Sequence, residues 1–239
     1  MDNASYTTLT RQAGLLREMQ SVANNIANSA TTGYRSQNVI FSEFVKALEP
    51  GEPSLSMATA NTRSISLIQG ALTQTNGTFD FAVEGEGFFM VEGPEGPLLT
   101  RAGSFTPNGE GELVTPDGLR LLDLGGAPIF APPDAASISV AADGTLSADG
   151  RPLTQIGLFV PADPTDLQYR DGVRFDAPGG TEAVIEGAAI LQGYVEGSNV
   201  DPVGEIARMI EVQRSYELGQ TFLEREDERI RAVSQTVIK

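Results

Sequence analysis

The sequence predicts a mainly β protein with α: an irregular antiparallel β sandwich or barrel body inserted between N- and C-terminal helices that pair as a coiled-coil-like domain. Three observations predict it. Apolar residues recur every seven positions at both ends of the chain. Asn-Gly and Asp-Gly turn dipeptides recur through the middle. The composition changes where the pattern does. Residues 1–36 carry three basic and two acidic groups and residues 202–239 six and seven, whereas residues 37–201 carry seven basic and 23 acidic groups. That middle also holds 22 of the 26 Gly and 13 of the 14 Pro, so two Gly-poor, near-neutral ends flank an acidic, turn-rich centre.

The C-terminal helix runs from Pro202, whose missing N–H costs nothing in a first turn, with Asp201 as its cap. Met209, Tyr216, Leu223, Ile230 and Val237 form the seven-residue line, widened by Ile206, Ile210, Val212 and Val233. Gly219 is its weak point, at about 1 kcal/mol against Ala. In the N-terminal helix Leu9, Leu16, Ala23 and Ala30 are seven apart, with Met19 and Ile26 on the adjoining row, and Gly33 is a plausible stop. Asn24, Asn25 and Asn28 are poor helix formers. They mark either a fraying end or amides bonding at a packed helix–helix contact. These two helices, 1–36 and 202–239, are expected to form one discontinuous domain. A bare helical pair has little core, so its outward apolar residues need other chains.

In the middle, strands are expected at Thr78–Val83, Phe88–Glu92, Leu98–Ala102, Glu112–Thr115, Ser137–Val140, Gln155–Val160 and Ala183–Ile185. Turns fall at Asn76-Gly77, Asn108-Gly109, Asp117-Gly118, Asp143-Gly144, Asp149-Gly150 and Asp171-Gly172. Residues 37–75 read as a linker leading to a β-rich outer domain over 76–201.

Chemistry is mostly excluded. The chain has no His, Cys or Trp. That removes thiol nucleophiles, imidazole acid–base catalysis and Cys or His metal sites. A formal charge of −16 opposes polyanions, so nucleic acid is not a partner and an anionic membrane is disfavoured. No apolar run is long enough to span a bilayer, and residues 1–30 lack the pattern of a cleaved secretory leader. Gly85-Glu86-Gly87 begins a dinucleotide fingerprint, but position 90 is Met, so a bend between strands is the better reading. Asn108-Gly-Glu110-Gly-Glu112 imitates a calcium loop without the later bidentate acid and reads as a turn with exposed acids. Carboxylate chemistry of the glycoside-hydrolase kind is the one catalytic alternative, and few aromatics are present to line a sugar cleft. No catalytic, cofactor or metal residues are assigned.

Five blocks carry a resemblance. Ala23-Asn24-Asn25-Ile26-Ala27-Asn28-Ser29-Ala30-Thr31-Thr32-Gly33-Tyr34-Arg35 resembles the signature of the bacterial flagellar axial family of rod, hook and hook-associated proteins. Ala82–Phe89, Thr100–Phe105 and Leu113–Gly118 are similar to its internal blocks. The last block is Glu196-Gly197-Ser198-Asn199-Val200-Asp201 with Met209–Glu217. The middle and the length resemble the proximal-rod branch more than the distal-rod branch, which is the runner-up. The resemblance implies a structural subunit that polymerises through its terminal helices, spans the periplasm as part of the rod and transmits torque. It implies export by the flagellar type III apparatus without a cleaved signal. Other proximal- and distal-rod subunits and the export apparatus are the implied partners, with no small-molecule substrate or membrane insertion. Assembly residues are expected at Leu9, Leu16, Met19, Ala23, Asn24, Asn25, Ile26, Ala27, Asn28, Gly33 and Tyr34 near the N-terminus. Toward the C-terminus they are Ser198, Asn199, Val200, Met209, Ile210, Gln213, Arg214, Tyr216, Leu223 and Ile230.

Overall fold

The computed structural model describes residues 3–46, 55–184 and 187–237. The chain divides into a helical unit (1–27, 37–64 and 201–239) and a β body (28–36 and 65–200).

The helical unit contains α1 (Asn3–Ala27), β1 (Gln37–Lys46), β2 (Leu55–Ile65) and α2 (Pro202–Val237). At 36 residues α2 is roughly 54 Å long. Asp201 caps it as expected: its Oδ1 accepts from Val203 N (3.1 Å) and its carbonyl from Glu205 N (3.0 Å). The helices pair. Leu15 and Val22 on α1 and Val212 on α2 are buried. Arg208 donates to Glu18 Oε1 through Nε (3.0 Å) and a terminal nitrogen (2.8 Å). Gln12 Nε2 donates to the Tyr216 carbonyl at 2.8 Å. A Cβ on Gly219 would lie 2.1 Å from that Nε2, so this glycine, expected as a weak point, is where the Gln12 amide sits.

Residues 37–75, expected as a linker, carry regular structure: β1 and β2 form a two-stranded sheet, and a third strand follows. Residues 47–54 lie outside the described residues. Gln37-Asn38-Val39-Ile40-Phe41 lacks a clean two-residue alternation, and Leu55–Ile65 is rich in Ser, Thr and Ala. Neither shows the periodicity from which a strand is read. What places β1 is side-chain chemistry on α1. Asn25 Nδ2 donates to the Gln37 carbonyl and Asn25 Oδ1 accepts from Gln37 N, both at 2.9 Å. Ser21 Oγ donates to the same carbonyl at 2.9 Å.

The β body comprises β3 (Leu72–Gln74), β4 (Phe81–Gly85), β5 (Phe88–Gly93), β6 (Gly96–Thr100), β7 (Thr106–Pro107), β8 (Leu113–Val114), β9 (Ile138–Val140) and β10 (Thr145–Ala148). It continues with β11 (Arg151–Gln155), β12 (Leu158–Pro161), β13 (Gln168–Asp171), β14 (Arg174–Asp176), β15 (Thr181–Ala183), β16 (Ala188–Gln192) and β17 (Tyr194–Glu196). A six-stranded sheet in the order β13-β14-β6-β5-β12-β15 is joined by a three-stranded sheet β11-β10-β9 and by the pairs β16–β4, β17–β3 and β7–β8. The registers in the body are antiparallel.

Strand β5 shows why this body is stable. Phe88, Phe89, Met90 and Val91 are all buried. Successive side chains point to opposite faces. Phe89 and Val91 join one cluster, with Phe81, Phe105, Leu113 and Ile156, whereas Phe88 and Met90 join another, with Leu99, Phe159 and Phe175. The sheet is therefore covered on both faces. The turn chemistry holds at Asp149-Gly150, where both residues have positive φ (50° and 75°) and connect β10 to β11. The Gly85-Glu-Gly87 segment is the bend between β4 and β5, with φ of 99° and 116° at its glycines. At the calcium-like loop, Asn108 Oδ1 accepts from the backbone N–H of Glu110 (2.8 Å) and Glu112 (2.9 Å), and Glu112 pairs with Arg120 at 3.3 Å.

Candidate assembly surface

The signature residues separate into two groups with different surroundings. The first lies within the β body. Residues 28–36 form a turn there, beginning where Asn28 receives Thr31: its carbonyl accepts from Thr31 N at 3.1 Å and its Oδ1 from Thr31 Oγ1 at 3.2 Å. Helix α1 has already ended at Ala27, so Gly33 does not stop it. Gly33 has φ +73°, and a Cβ on it would lie 2.2 Å from Ala102 N. It is glycine because the turn runs against the Arg101-Ala102 backbone; Gly33 N donates to the Glu196 carbonyl at 2.7 Å.

Beside it, Arg35 and Arg101 share one carboxylate. An Arg35 terminal nitrogen lies 2.9 Å from Glu196 Oε1, and one of Arg101 lies 2.9 Å from Oε2. All three side chains are at most 3% exposed. Arg101 also donates to the Gly85 carbonyl (2.8 Å) and lies over the Phe88 ring at 5.1 Å. Arg35 donates to the Ile68 carbonyl. Burial pushes the Arg35 guanidinium down to about 10, against the opposing pull of Glu196, which leaves it charged at neutral pH. Burial likewise lowers Arg101, opposed by Glu196.

Asn199 completes this cluster. Its Oδ1 accepts from Ser36 N (2.7 Å) and its Nδ2 donates to the carbonyls of Ile68 (2.8 Å) and Ser66 (3.3 Å). Ser66 N donates to the Ser36 carbonyl at 2.9 Å. Tyr34 is buried against Tyr169, with ring centroids 5.8 Å apart. Ser198 Oγ accepts from Val200 N at 3.3 Å, and Val200 is half-buried. Gly33, Tyr34, Ser198 and Asn199 thus hold parts of this chain to one another.

The second group lies on α1 and α2. Tyr6, Leu9, Ala13, Leu16, Gln20, Ala23 and Ala27 alternate three and four apart, and every one is exposed. The parallel line Gln12, Leu15, Met19, Val22 and Ile26 of α1 is buried or half-buried, and Gln12 in it bonds α2. The Leu9–Leu16–Ala23 line, expected among the assembly residues, is exposed, and the neighbouring row of the same period is the buried one. Asn25 is buried and bonds the Gln37 backbone of β1, whereas Asn24 is exposed. On α2, Met209, Tyr216 and Leu223 are half-buried, whereas Ile210, Gln213, Arg214 and Ile230 are exposed. Val203, Ile206, Leu218, Phe222 and Val233 are further exposed apolar residues of α2. Among the described residues, Val212 is the one α2 side chain that is buried.

Gln12 and Val22 were missed because the largest apolar residues drew the heptad line, and Gly219 was read only as a weak point rather than as the place where the Gln12 amide sits. Arg35, Arg101 and Glu196 stood inside quoted motifs, but no spacing rule pairs charges 95 and 161 residues apart, and only the fold brings them together.

The acid-lined cleft closest to a hydrolase reading, of about 180 Å³, contains Glu95, Asp171 and Asp176. Arg170 pairs with Glu95 and, at 3.5 Å, with Asp176. Its remaining lining is Pro, Gly, Leu and Arg, with no aromatic ring to stack a sugar.

A chain with one self-contained body and a helical pair bearing an uncovered apolar seam belongs to the class of assembly subunits. A family model described as "Flagellar hook protein FlgE/F/G D1 domain" matches residues 82–148, and one described as "Flagellar basal body rod FlgEFG protein C-terminal" matches 191–236. The flagellar basal-body rod protein FlgF of Caulobacter vibrioides is 39% identical over 223 residues, covering 91% of this chain and 90% of the relative. FlgF of Mesorhizobium japonicum is 36% identical over 220 residues, with the same coverage. FlgG of Bacillus subtilis is 28% identical over 249 residues, 93% of this chain and 94% of the relative. The chain belongs to the flagellar basal-body rod protein family and is a structural subunit of the bacterial flagellar basal body. Within that family its likeness favours FlgF over FlgG.

Proposed function

We propose that this chain is a proximal-rod subunit that polymerises through α1 and α2, with the acidic β body as a separate outer domain, and that it carries torque across the periplasm. One observation supports this above the rest: α1 bears two apolar seams of heptad period, and the described residues fill only one. The outer seam, with Leu9, Leu16 and Ala23, then packs on helices of neighbouring subunits, and Ile210 and Ile230 on α2 do the same. Near-neutral helices suit this role because packing many copies side by side stacks little like charge. Rigidity rather than turnover is the functional quantity, and no catalytic residue is assigned. The partners are other rod subunits, proximal and distal, and the flagellar export apparatus, which delivers the chain unfolded.

The double substitution Leu9→Asp, Leu16→Asp tests the reading. Both side chains are about half exposed, so folding stability should change by less than about 0.5 kcal/mol. Incorporation into isolated basal bodies, and swimming with it, should be lost. Normal incorporation of that variant overturns the proposal.

A further inference from the structure

The β3–β4 connection of the body carries a reactive dipeptide. Two Asn-Gly pairs occur in the chain, Asn76-Gly77 and Asn108-Gly109. In such a pair the glycine nitrogen, unshielded by a side chain, is one five-membered ring closure from the asparagine carboxamide carbon, so nucleophile and electrophile are already held together. The two sites differ in what restrains the carboxamide. Asn108 Oδ1 accepts from the backbone N–H of Glu110 (2.8 Å) and Glu112 (2.9 Å), and its Nδ2 donates to Glu112 Oε2 at 3.1 Å. The Asn76 side chain is exposed, and its Oδ1 accepts from Gln74 Nε2 at 2.9 Å.

Around Asn76 stand the groups that an amide displacement uses. Gly77 N donates to Thr75 Oγ1 at 3.2 Å, and that hydroxyl donates to Asp80 Oδ2 at 2.6 Å. The carboxylate is held in turn by Ser104 Oγ, which donates to Oδ1 at 2.8 Å. A Cβ on residue 77 would lie 2.4 Å from Asp80 Oδ2, so glycine leaves room for the carboxylate beside the backbone. A path for the Gly77 proton therefore runs through the Thr75 hydroxyl to a base. On the other side, the Gln74 amide points a donor at the oxygen that gains charge when the carboxamide is attacked.

We propose that Asn76 is a self-modification site, converted to aspartate and isoaspartate with help from Thr75, Asp80 and Gln74. Gly77 N attacks Asn76 Cγ, its proton passing to Thr75 Oγ1 as the hydroxyl proton passes to Asp80. The Cγ–Nδ2 bond breaks, and the nitrogen leaves as ammonia with the proton that Asp80 received. Water then opens the cyclic imide at either carbonyl, so the net change is loss of ammonia and uptake of one water. The isoaspartate product lengthens the main chain by one carbon between Asn76 and Gly77. That carbon enters a segment tied to Gly193 at both ends: Thr75 N and Asn76 N donate to the Gly193 carbonyl (2.8 and 3.0 Å), and Gly193 N donates to the Asp80 carbonyl (2.8 Å). Modification thus loosens the body beside the β3–β17 pair and adds a negative charge there.

The test incubates the full chain at neutral pH in water enriched in heavy oxygen, then maps conversion by peptide mass spectrometry. Asn76 should take up the label and convert roughly ten-fold faster than Asn108, and in urea the two rates should converge. Thr75→Val should slow conversion at Asn76 roughly ten-fold by cutting the proton path, Asp80→Asn should do the same, and Thr75→Ser should keep the rate. A Thr75 that only braced the turn would act in the opposite sense, because loosening the segment frees the ring closure. Equal rates at Asn76 and Asn108 in the folded chain overturn the proposal, as does a rate at Asn76 that Thr75→Val and Asp80→Asn leave unmoved or raise.

Discussion

The two units spend their apolar residues differently. In the β body the four consecutive residues Phe88 to Val91 all enter a core, and its signature charges meet inside it as Arg35–Glu196–Arg101. In the helical unit, α2 buries Val212 among its described residues and leaves Val203, Ile206, Leu218 and Val233 half or more exposed. The body is finished within one chain. Among the described residues, nothing covers the exposed apolar side chains of the helices. Closing a core and presenting an apolar face thus fall to separate stretches of one sequence.

The largest effect is expected where the body is most tightly closed. Glu196→Gln keeps the shape and takes from two buried guanidinium groups the carboxylate they share. The body should lose about 3–5 kcal/mol, the range for breaking a buried pair from one side. Urea denaturation followed by tyrosine fluorescence reads this, and the helical circular dichroism should fall less than the body signal. A loss below about 1 kcal/mol would mean that the body does not depend on its buried charges.

The helical unit offers the next test. Asn25→Ala removes both amide bonds to Gln37 and should cost about 2 kcal/mol locally. Hydrogen exchange at the Gln37 amide should accelerate roughly 30-fold, with exchange in the β body unchanged. Equal acceleration in the body would show that the two units do not open independently.

The smallest effect concerns pH. The backbone amide and hydroxyl of Thr145 hold the Asp143 carboxyl below the usual carboxylate range, and the hydroxyl and amide of Thr165 do so for Asp163. A carboxyl with a depressed folded pKa stabilises the fold above its unfolded value, and that contribution disappears as pH falls through the folded value. The body's Tm should therefore be level from pH 7 to about 5 and decline below about 4. Asp143→Ala should lower Tm slightly at pH 7 and flatten the acid decline; an equal decline in that variant would put its origin elsewhere.

Much of this was legible in the sequence, because local chemistry writes local structure. The Asp201-Pro202 start of α2, the Asp149-Gly150 hairpin and the Phe88–Glu92 strand each follow from a few adjacent residues. The near-neutral ends and the acidic middle are read from composition, although residues 28–36 fold with the body and residues 37–64 with the helices. The periodicity also showed that the helices carry more apolar surface than a pair needs.

Which of two equivalent rows on α1 would face α2 was not written there. Leu9–Leu16–Ala23 and Leu15–Val22 have the same period, and a period specifies a line on a helix but not its partner. The packing chose the row beside Gly219, where an absent side chain admits Gln12. Nor do spacings pair Glu196 with Arg35 and Arg101, or Asn25 with Gln37. These are hydrogen bonds and charges brought together by the path of the chain, and distance in sequence carries no information about them until the fold exists.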